Sequence, residues 1–275
     1  MNKVFQDVEG ASKHISVVVP VKNMERTILE CLESISKNDP YEIIVIDGNS
    51  TDSTVEIARR YTSNIYSDHG FGPSYAHKLG TEIARGKYVA FVDGDIILPD
   101  KALETMAREL QEAKVAGIQA QWHGASSNNY WERAQDWHSQ EIMRRKPGGL
   151  SAVVLDKEVV RTVGFDVGLR LYGDDFDFIK RFRLRGFSIG TSSVVVLHGH
   201  RMNMGAISRQ HFMLGLSIMP MMQKWGVEDL GFWPPAVLLY WAARSIVQGK
   251  AYWIPYLMVI YFSQVAGMIA YGLNR

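Results

Sequence analysis

The chain has 275 residues and a mass of 31.1 kDa, and 47% of it is hydrophobic, enough to bury one large core or one core with an appendage. Thirty Lys and Arg against 29 Asp and Glu leave a formal charge of +1, which argues against bulk nucleic-acid binding and against a disordered acidic tail. The single cysteine, Cys31, excludes a disulfide framework and any Cys-rich metal site, and within the helical pattern of residues 27–35 it reads as a small buried packing residue.

The first 14 residues hold no apolar stretch of the kind a cleaved secretory signal needs, so a reducing, cytosolic setting is expected. Residues 15–20 (ISVVVP) and 42–47 (EIIVID) are short β-branched runs, with an amphipathic stretch at 25–36 between them. That pattern predicts a βαβ unit, because parallel strands need a crossover and are buried on both faces. Ser53-Thr54-Val55-Glu56 has the spacing of a capping box and predicts a helix running towards Tyr61. A short strand follows at 64–67, then a Gly/Pro loop at 70–73 and a helix over 74–84. Residues 87–92 (KYVAFV) predict a third apolar strand that stops at Asp93-Gly94-Asp95. Beyond it the pattern predicts a helix over 99–114, strands at 117–122, 151–155 and 192–197, and a helix over 177–184. Residues 128–145 show only weak periodicity. The whole reads as one doubly wound α/β domain with a mixed, mainly parallel sheet, over residues 1–226, followed by a helical tail over 227–275.

The near-zero charge hides an asymmetry. Residues 200–275 carry 6 Lys and Arg against 2 Asp and Glu, a local +4 against −3 for the rest. The same stretch holds two uncharged runs, residues 230–243 and 251–274. A bilayer core takes about 20 apolar residues as helix, so the first run is too short to cross it and the second is long enough. Trp233, Tyr240, Trp241, Tyr252, Trp253 and Tyr271 flank these runs as an interfacial belt would. Membrane attachment is expected; two core helices of a soluble or oligomeric protein are the alternative.

Ligands of open α/β sheets bind beyond the carboxyl ends of the strands, where Asp47, Asp93 and Asp95 fall. No phosphate-cradling G-x-x-x-x-G-K-[ST] loop is present, and Gly70-Phe71-Gly72 lacks the third glycine of a dinucleotide fingerprint. At a strand end, residues i and i+2 point to one side, so Asp93 and Asp95 can converge on a hard cation, Mn²⁺ or Mg²⁺, bridging a diphosphate, or on a cation and a ribose. The second such pair, Asp175-Phe176-Asp177, opens a helix, where i and i+2 diverge, and is the poorer metal site.

Four motifs in order carry a resemblance: residues 17–23 (VVVPVKN), 45–52 (VIDGNSTD), 84–95 (ARGKYVAFVDGD), and Gly164-Phe165-Asp166 followed by Tyr172-Gly173-Asp174-Asp175. Together they resemble the family 2 glycosyltransferases of the GT-A fold, over about residues 14–200. The resemblance implies an inverting transfer of a sugar from a nucleotide-sugar donor. It implies that Pro20, Asn23, Asp47 and Asp52 line the nucleoside pocket, that Asp93 faces the ribose or the metal, that Asp95 ligates the metal, and that Asp175 matches the catalytic base. Asp52 is equally well placed to cap a helix. Three positions depart from the family pattern: Lys22 stands where many members have Tyr, Gly48 where many have a second Asp, and His77-Lys78 where Arg-Asn is frequent. Lys78 is a candidate phosphate contact or an ordinary solvated helix lysine.

Breaking an anomeric carbon–phosphate bond builds negative charge on the diphosphate, which a divalent ion answers, while the acceptor hydroxyl needs a carboxylate to take its proton. Asp174 and Asp175 are the candidates for that base, and adjacent carboxylates raise at least one pKa. Of His198 and His200, either can be a further metal ligand beside Asp95, and Arg201 can close over the diphosphate. The acceptor is expected to be a hydroxyl or phosphate, lipid-linked or membrane-presented, at the cytoplasmic face of the membrane. A sugar-phosphate nucleotidyltransferase and a non-catalytic membrane scaffold are the alternatives. The former needs a Gly-rich basic loop after the first strand, and PVKNMERT is not one. Nothing in the sequence sets the oligomeric state.

Overall fold

The structure is a computed structural model, and it describes residues 11–124, 128–145, 149–199, 203–226 and 234–273, with only the backbone described at 143–145 and 234–237. The expected Gly226/227 boundary therefore falls at the edge of a described stretch.

Four parallel strands form one half of the sheet: β1 (Ile15–Val21), β2 (Glu42–Asp47), β3 (Ile65–Ser67) and β4 (Tyr88–Phe91). Their crossovers are helices α1 (Ile28–Lys37), α2 (Thr54–Ala58) and α3 (Pro73–Ile83). Beyond β5 (Ile96–Ile97) and α4 (Ala102–Ala113) come β6 (Gly117–Gly124), α5 (Tyr130–Arg145), β7 (Val153–Asp156), α6 (Lys157–Val163), α7 (Asp174–Leu184) and β8 (Ile189–His198). The sheet runs β3-β2-β1-β4-β7-β6-β8-β5, with β7 antiparallel to both neighbours, β6 parallel to β8, and β5 antiparallel at the edge.

The continuous apolar runs follow from burial on both sides. Val17 and Val19 of β1 meet Ile28, Leu32 and Ile35 of α1 on one face; Val18, with Ile44 and Ile46 of β2, meets Ala76 of α3 and Phe178 and Phe182 of α7 on the other. Helix α3 lies so close to β1 that a Cβ on Gly80 would sit 2.3 Å from a Val18 methyl.

Several local expectations are corrected. The side chain of Ser53 makes no capping bond; the Asp52 carboxylate instead accepts from Thr54 N at 3.0 Å and Glu25 N at 3.2 Å, joining two loops, and α2 ends at Ala58. Helix α6 opens on Asp156, whose Oδ1 accepts from Glu158 N and Val159 N, directly after a strand that masks its start. Residues 130–145 are helical despite their weak periodicity. Helix α7 begins three residues earlier than expected, at Asp174.

The chain divides into two compact units, 1–125 with 140–170 and 174–200, and 126–139 with 171–173 and 201–275. The second holds α8 (Met204–Trp225), α9 (Pro234–Val247), α10 (Ile254–Leu273) and the first turns of α5. Its core is aromatic: Trp137, Trp241, Trp253 and Tyr256 pack with Ile207, Leu257 and Ile260. Residues Ala251–Leu273 are long and apolar enough to cross a membrane, with a mean hydropathy of 1.5.

Candidate active site

The loops after β1 and β2 are tied together at the carboxyl edge of the sheet. Val21 and Asp47 are register partners, so the two strands end level. Asn23 takes a positive φ of 54°; its Oδ1 accepts from Thr51 N at 2.8 Å and its N donates to Ser50 Oγ at 2.9 Å. The Asp47 carboxylate accepts from Ser50 N at 3.2 Å. Pro20, Asn23, Asp47 and Asp52 therefore gather on one rim. Gly48 has a local reason: its N donates to Val21 O at 2.8 Å, and a Cβ there would meet Val21 O and Lys22 Cβ at 3.3 Å.

Asp93-Gly94-Asp95 follows β4 as a turn closed by Ile96 N donating to Asp93 O at 3.0 Å. A Cβ on Gly94 would approach Met24 Sδ to 2.5 Å, so a larger residue between the two acids would have to displace the end of the Met24 side chain. The two-residue strand β5 then pairs Ile96 with His198, and Gly199 N donates to Asp95 O at 2.7 Å. That pairing brings His198 Nε2 to 3.2 Å from Asp95 Oδ1, with the imidazole edge-on to Trp122. Ser151 Oγ donates to Asp93 Oδ2. Burial, and after it the charge of Asp95, pushes the Asp93 carboxyl above its ordinary range. Among the described residues, no group of three His, Cys, Asp or Glu side chains is placed to hold a metal ion. His200 and Arg201 lie outside the described residues.

The third group stands at the start of α7. Asp174 is buried, and its Oδ2 lies 2.9 Å from Nδ1 of the equally buried His77 on α3. The His77 ring stacks on Phe165 at 5.4 Å and meets Phe91 edge-on at 4.7 Å. Asp175 points elsewhere. Its side chain keeps solvent access, yet enough protein surrounds it that lost hydration, and then the Asp174 charge, pushes its carboxyl up to about 6. His77 and Asp93 also act on it electrostatically, so the β4 end and the α7 start share one field. Asp177 is buried against Arg181, 2.7 Å away, and braces the helix. Lys78 is half-exposed and lies 3.6 Å from Glu82 on the same helix.

His77 stands in the sequence reading only as a departure from the family pattern, with no role given to it. Its signal was present: Ser74, His77 and Thr81 share the buried face of α3 at a spacing of three and four, which marks His77 as interior.

Residues 16–170 match the sequence profile of Glycosyl transferase family 2. Glycosyltransferase GlyG of Streptococcus pneumoniae is 30% identical over 231 residues, covering 73% of this chain and 75% of GlyG. Two further relatives are matched over only 38% and 16% of their own lengths. The dodecaprenyl-phosphate galacturonate synthase of Rhizobium johnstonii is 29% identical over 116 residues, covering 38% of this chain and 34% of that protein. In fold, the chain is similar to the crystal structure of glucosyl-3-phosphoglycerate synthase from Mycobacterium tuberculosis in complex with Mn²⁺ and UDP-glucose, with a TM-score of 0.61 at 21% identity over 80% of this chain and 82% of the other. The sheet order, the mainly parallel first half and these likenesses agree: the fold is GT-A-like, and the chain is a glycosyltransferase that belongs to glycosyl transferase family 2.

Proposed function

We propose that the protein transfers a sugar, with inversion, from a nucleotide-diphosphate sugar to a hydroxyl or phosphate of a lipid-linked or otherwise membrane-presented acceptor. The observation that carries this reading is the placement of Asp93 and Asp95 at the end of β4 with His198 beside Asp95, together with the exposed Asp175 next to the buried Asp174 at the start of α7, in a chain of glycosyl transferase family 2. Family membership favours sugar transfer over the nucleotidyl-transfer alternative.

In this reading Pro20, Asn23, Asp47 and Asp52 line the nucleoside pocket. Asp95 would ligate a divalent ion, Mn²⁺ or Mg²⁺, with Asp93, His198 and His200 as candidates for further ligands, and Arg201 is a candidate for the diphosphate. Carboxylate oxygens, with diphosphate oxygens beside them, would suit such an ion. Such an ion would supply charge stabilisation to the departing diphosphate. Lys78 is a weaker candidate for a phosphate contact, because Glu82 already accompanies it.

Where the acceptor is a hydroxyl, Asp175 takes its proton as the oxygen attacks the anomeric carbon; an ionised phosphate oxygen attacks without that transfer. The new carbon–oxygen bond forms on the face opposite the diphosphate, and the electron pair of the broken bond leaves with it. Asp174, held by His77, is a supporting neighbour. We place this chemistry in residues 1–226 and membrane attachment at the cytoplasmic face in residues 227–275. The apolar run Ala251–Leu273 and the local charge of +4 support attachment, as does a relative named for a dodecaprenyl phosphate.

A panel of nucleotide-sugars with Mn²⁺, read by thermal shift and then by single-turnover transfer to a polyprenyl phosphate and to free glycans, tests the reading. A donor should raise the melting temperature, because a ligand that binds only the native state stabilises it. No stabilisation by any donor, with no transfer, would remove it.

A further inference from the structure

The long apolar helix α10 is joined to α8 through its middle. Ser263, the tenth of its 20 residues, lies 2.8 Å from Ser208, and Gln264 Nε2 lies 2.9 Å from His211 Nδ1. The two backbones touch. A Cβ on Gly267 would sit 2.1 Å from Phe212 O, and one on Gly215 would sit 2.2 Å from Gln264 O, so only glycine permits this approach. The buried face of α10 is thereby occupied by α8.

The opposite face has a different character. Pro255, Met258, Phe262, Ala266, Ile269 and Leu273 recur at a spacing of three or four and are exposed along the whole helix. Leu239, Tyr240, Ala243, Ile246 and Val247 make a second exposed apolar stripe on α9. The α10 stripe holds no charged residue and the α9 stripe is bordered by one, the partly exposed Arg244; both are unlike the polar outer face of a helix at a water boundary. Lys250 and the half-exposed Tyr252 stand at the turn between the two helices, a basic and aromatic pairing suited to a lipid headgroup layer.

The contact with α8 decides how lipid is met. Were α10 to cross a bilayer, its midpoint would carry Ser208 to the centre of the hydrocarbon. Ser208 is only four residues from the start of α8, about 6 Å along the axis. The exposed Arg209 and a helix terminus capped by Asn203, with its unsatisfied N–H groups, would enter with it. Both are costly in hydrocarbon. We infer that α9 and α10 lie along one leaflet, apolar stripes inward, and that α10 does not span. The inference rests on the membrane attachment proposed above and deepens it.

The test uses the full chain with Cys31→Ala, bound to preformed vesicles of phosphatidylcholine and phosphatidylglycerol, with single cysteines at Lys250, Phe262 and Arg275 and a membrane-impermeant maleimide added outside. The protein should float with the vesicles. Positions 250 and 275 should label from outside without detergent, while 262 should label about tenfold more slowly with vesicles than without them. The exposed pair Phe262→Glu and Ile269→Glu should reduce the floated fraction about tenfold while leaving the circular dichroism unchanged. Flotation with position 275 protected until detergent is added would overturn the one-leaflet arrangement and leave attachment standing. No flotation would overturn attachment itself, and a dimer in sedimentation equilibrium that the Glu pair dissolves would assign the stripes to a second copy.

Discussion

Nδ1 of His77 and Oδ2 of Asp174 lie 2.9 Å apart with both side chains buried, although 97 residues separate them. This contact divides the work of two adjacent carboxylates. Asp174 is committed to the interior, and Asp175 is left accessible with a raised pKa.

Replacing Asp175 by Asn keeps shape but removes the base, so transfer at saturating donor should fall by about 10²- to 10⁴-fold with donor affinity nearly unchanged. The same change at Asp174 keeps a hydrogen-bonding partner for His77 and should cost transfer less. Single-turnover rates decide between the two; a dead Asp174→Asn beside an active Asp175→Asn would reverse the assignment.

The pH dependence has a definite sign. A base with a pKa of about 6 must be ionised to act, so transfer should fall about tenfold per unit below pH 6 and level off above it. For stability the direction is opposite. The folded pKa is above the ordinary 3.8, so the folded state binds the extra proton between the two values and loses stability as pH rises through that window. Asp175→Asn should therefore raise Tm near neutral pH, with the gain vanishing below about pH 4. An unchanged or lowered Tm at neutral pH contradicts this.

Metal removal should act on donor binding before chemistry. Nucleoside diphosphate affinity measured by calorimetry should rise with Mn²⁺ in the wild type and lose that dependence in Asp95→Ala. His198→Ala, which takes away the imidazole 3.2 Å from Asp95, should weaken the Mn²⁺ effect by about tenfold. Equal affinities with and without Mn²⁺ in all three proteins would remove the metal role from this pair.

Gly94→Ala probes the turn without touching an acid. Its methyl would approach Met24 Sδ to 2.5 Å and Val21 Cγ1 to 3.1 Å, and the end of the Met24 side chain can swing aside to admit it. A stability cost of about 1 kcal/mol with Mn²⁺-dependent affinity largely retained is expected; loss of the Mn²⁺ response would show that the methyl displaces the turn itself.

His77→Ala opens a space between Phe91 and Phe165 and leaves the buried Asp174 without this partner. Denaturant unfolding should show a loss of about 2–4 kcal/mol, and His77→Gln should recover part of it. Equal stability of His77→Ala and the wild type would mean that the contact does not hold the loop.

The strands β1, β2 and β4, the acids at their ends and the uncharged C-terminal run were all legible in the residues, because burial on both faces of a parallel strand imposes one local rule on every position and an uncharged run is read directly from composition. The interior place of Cys31 followed in the same way, and its burial pushes the thiol far up. What only the tertiary structure decided are meetings between distant segments. His77 with Asp174 depends on how α3 and α7 share one face of the sheet, and Asp95 with His198 depends on β5, two residues too short to carry a periodicity. The capping of α2 by Asp52 rather than Ser53 depends on Glu25 arriving from another loop. Ser208 with Ser263, the contact that sets which face of α10 is left exposed, joins residues 55 apart. No local pattern encodes such pairs, because their energy exists only after the chain has closed the loops between them.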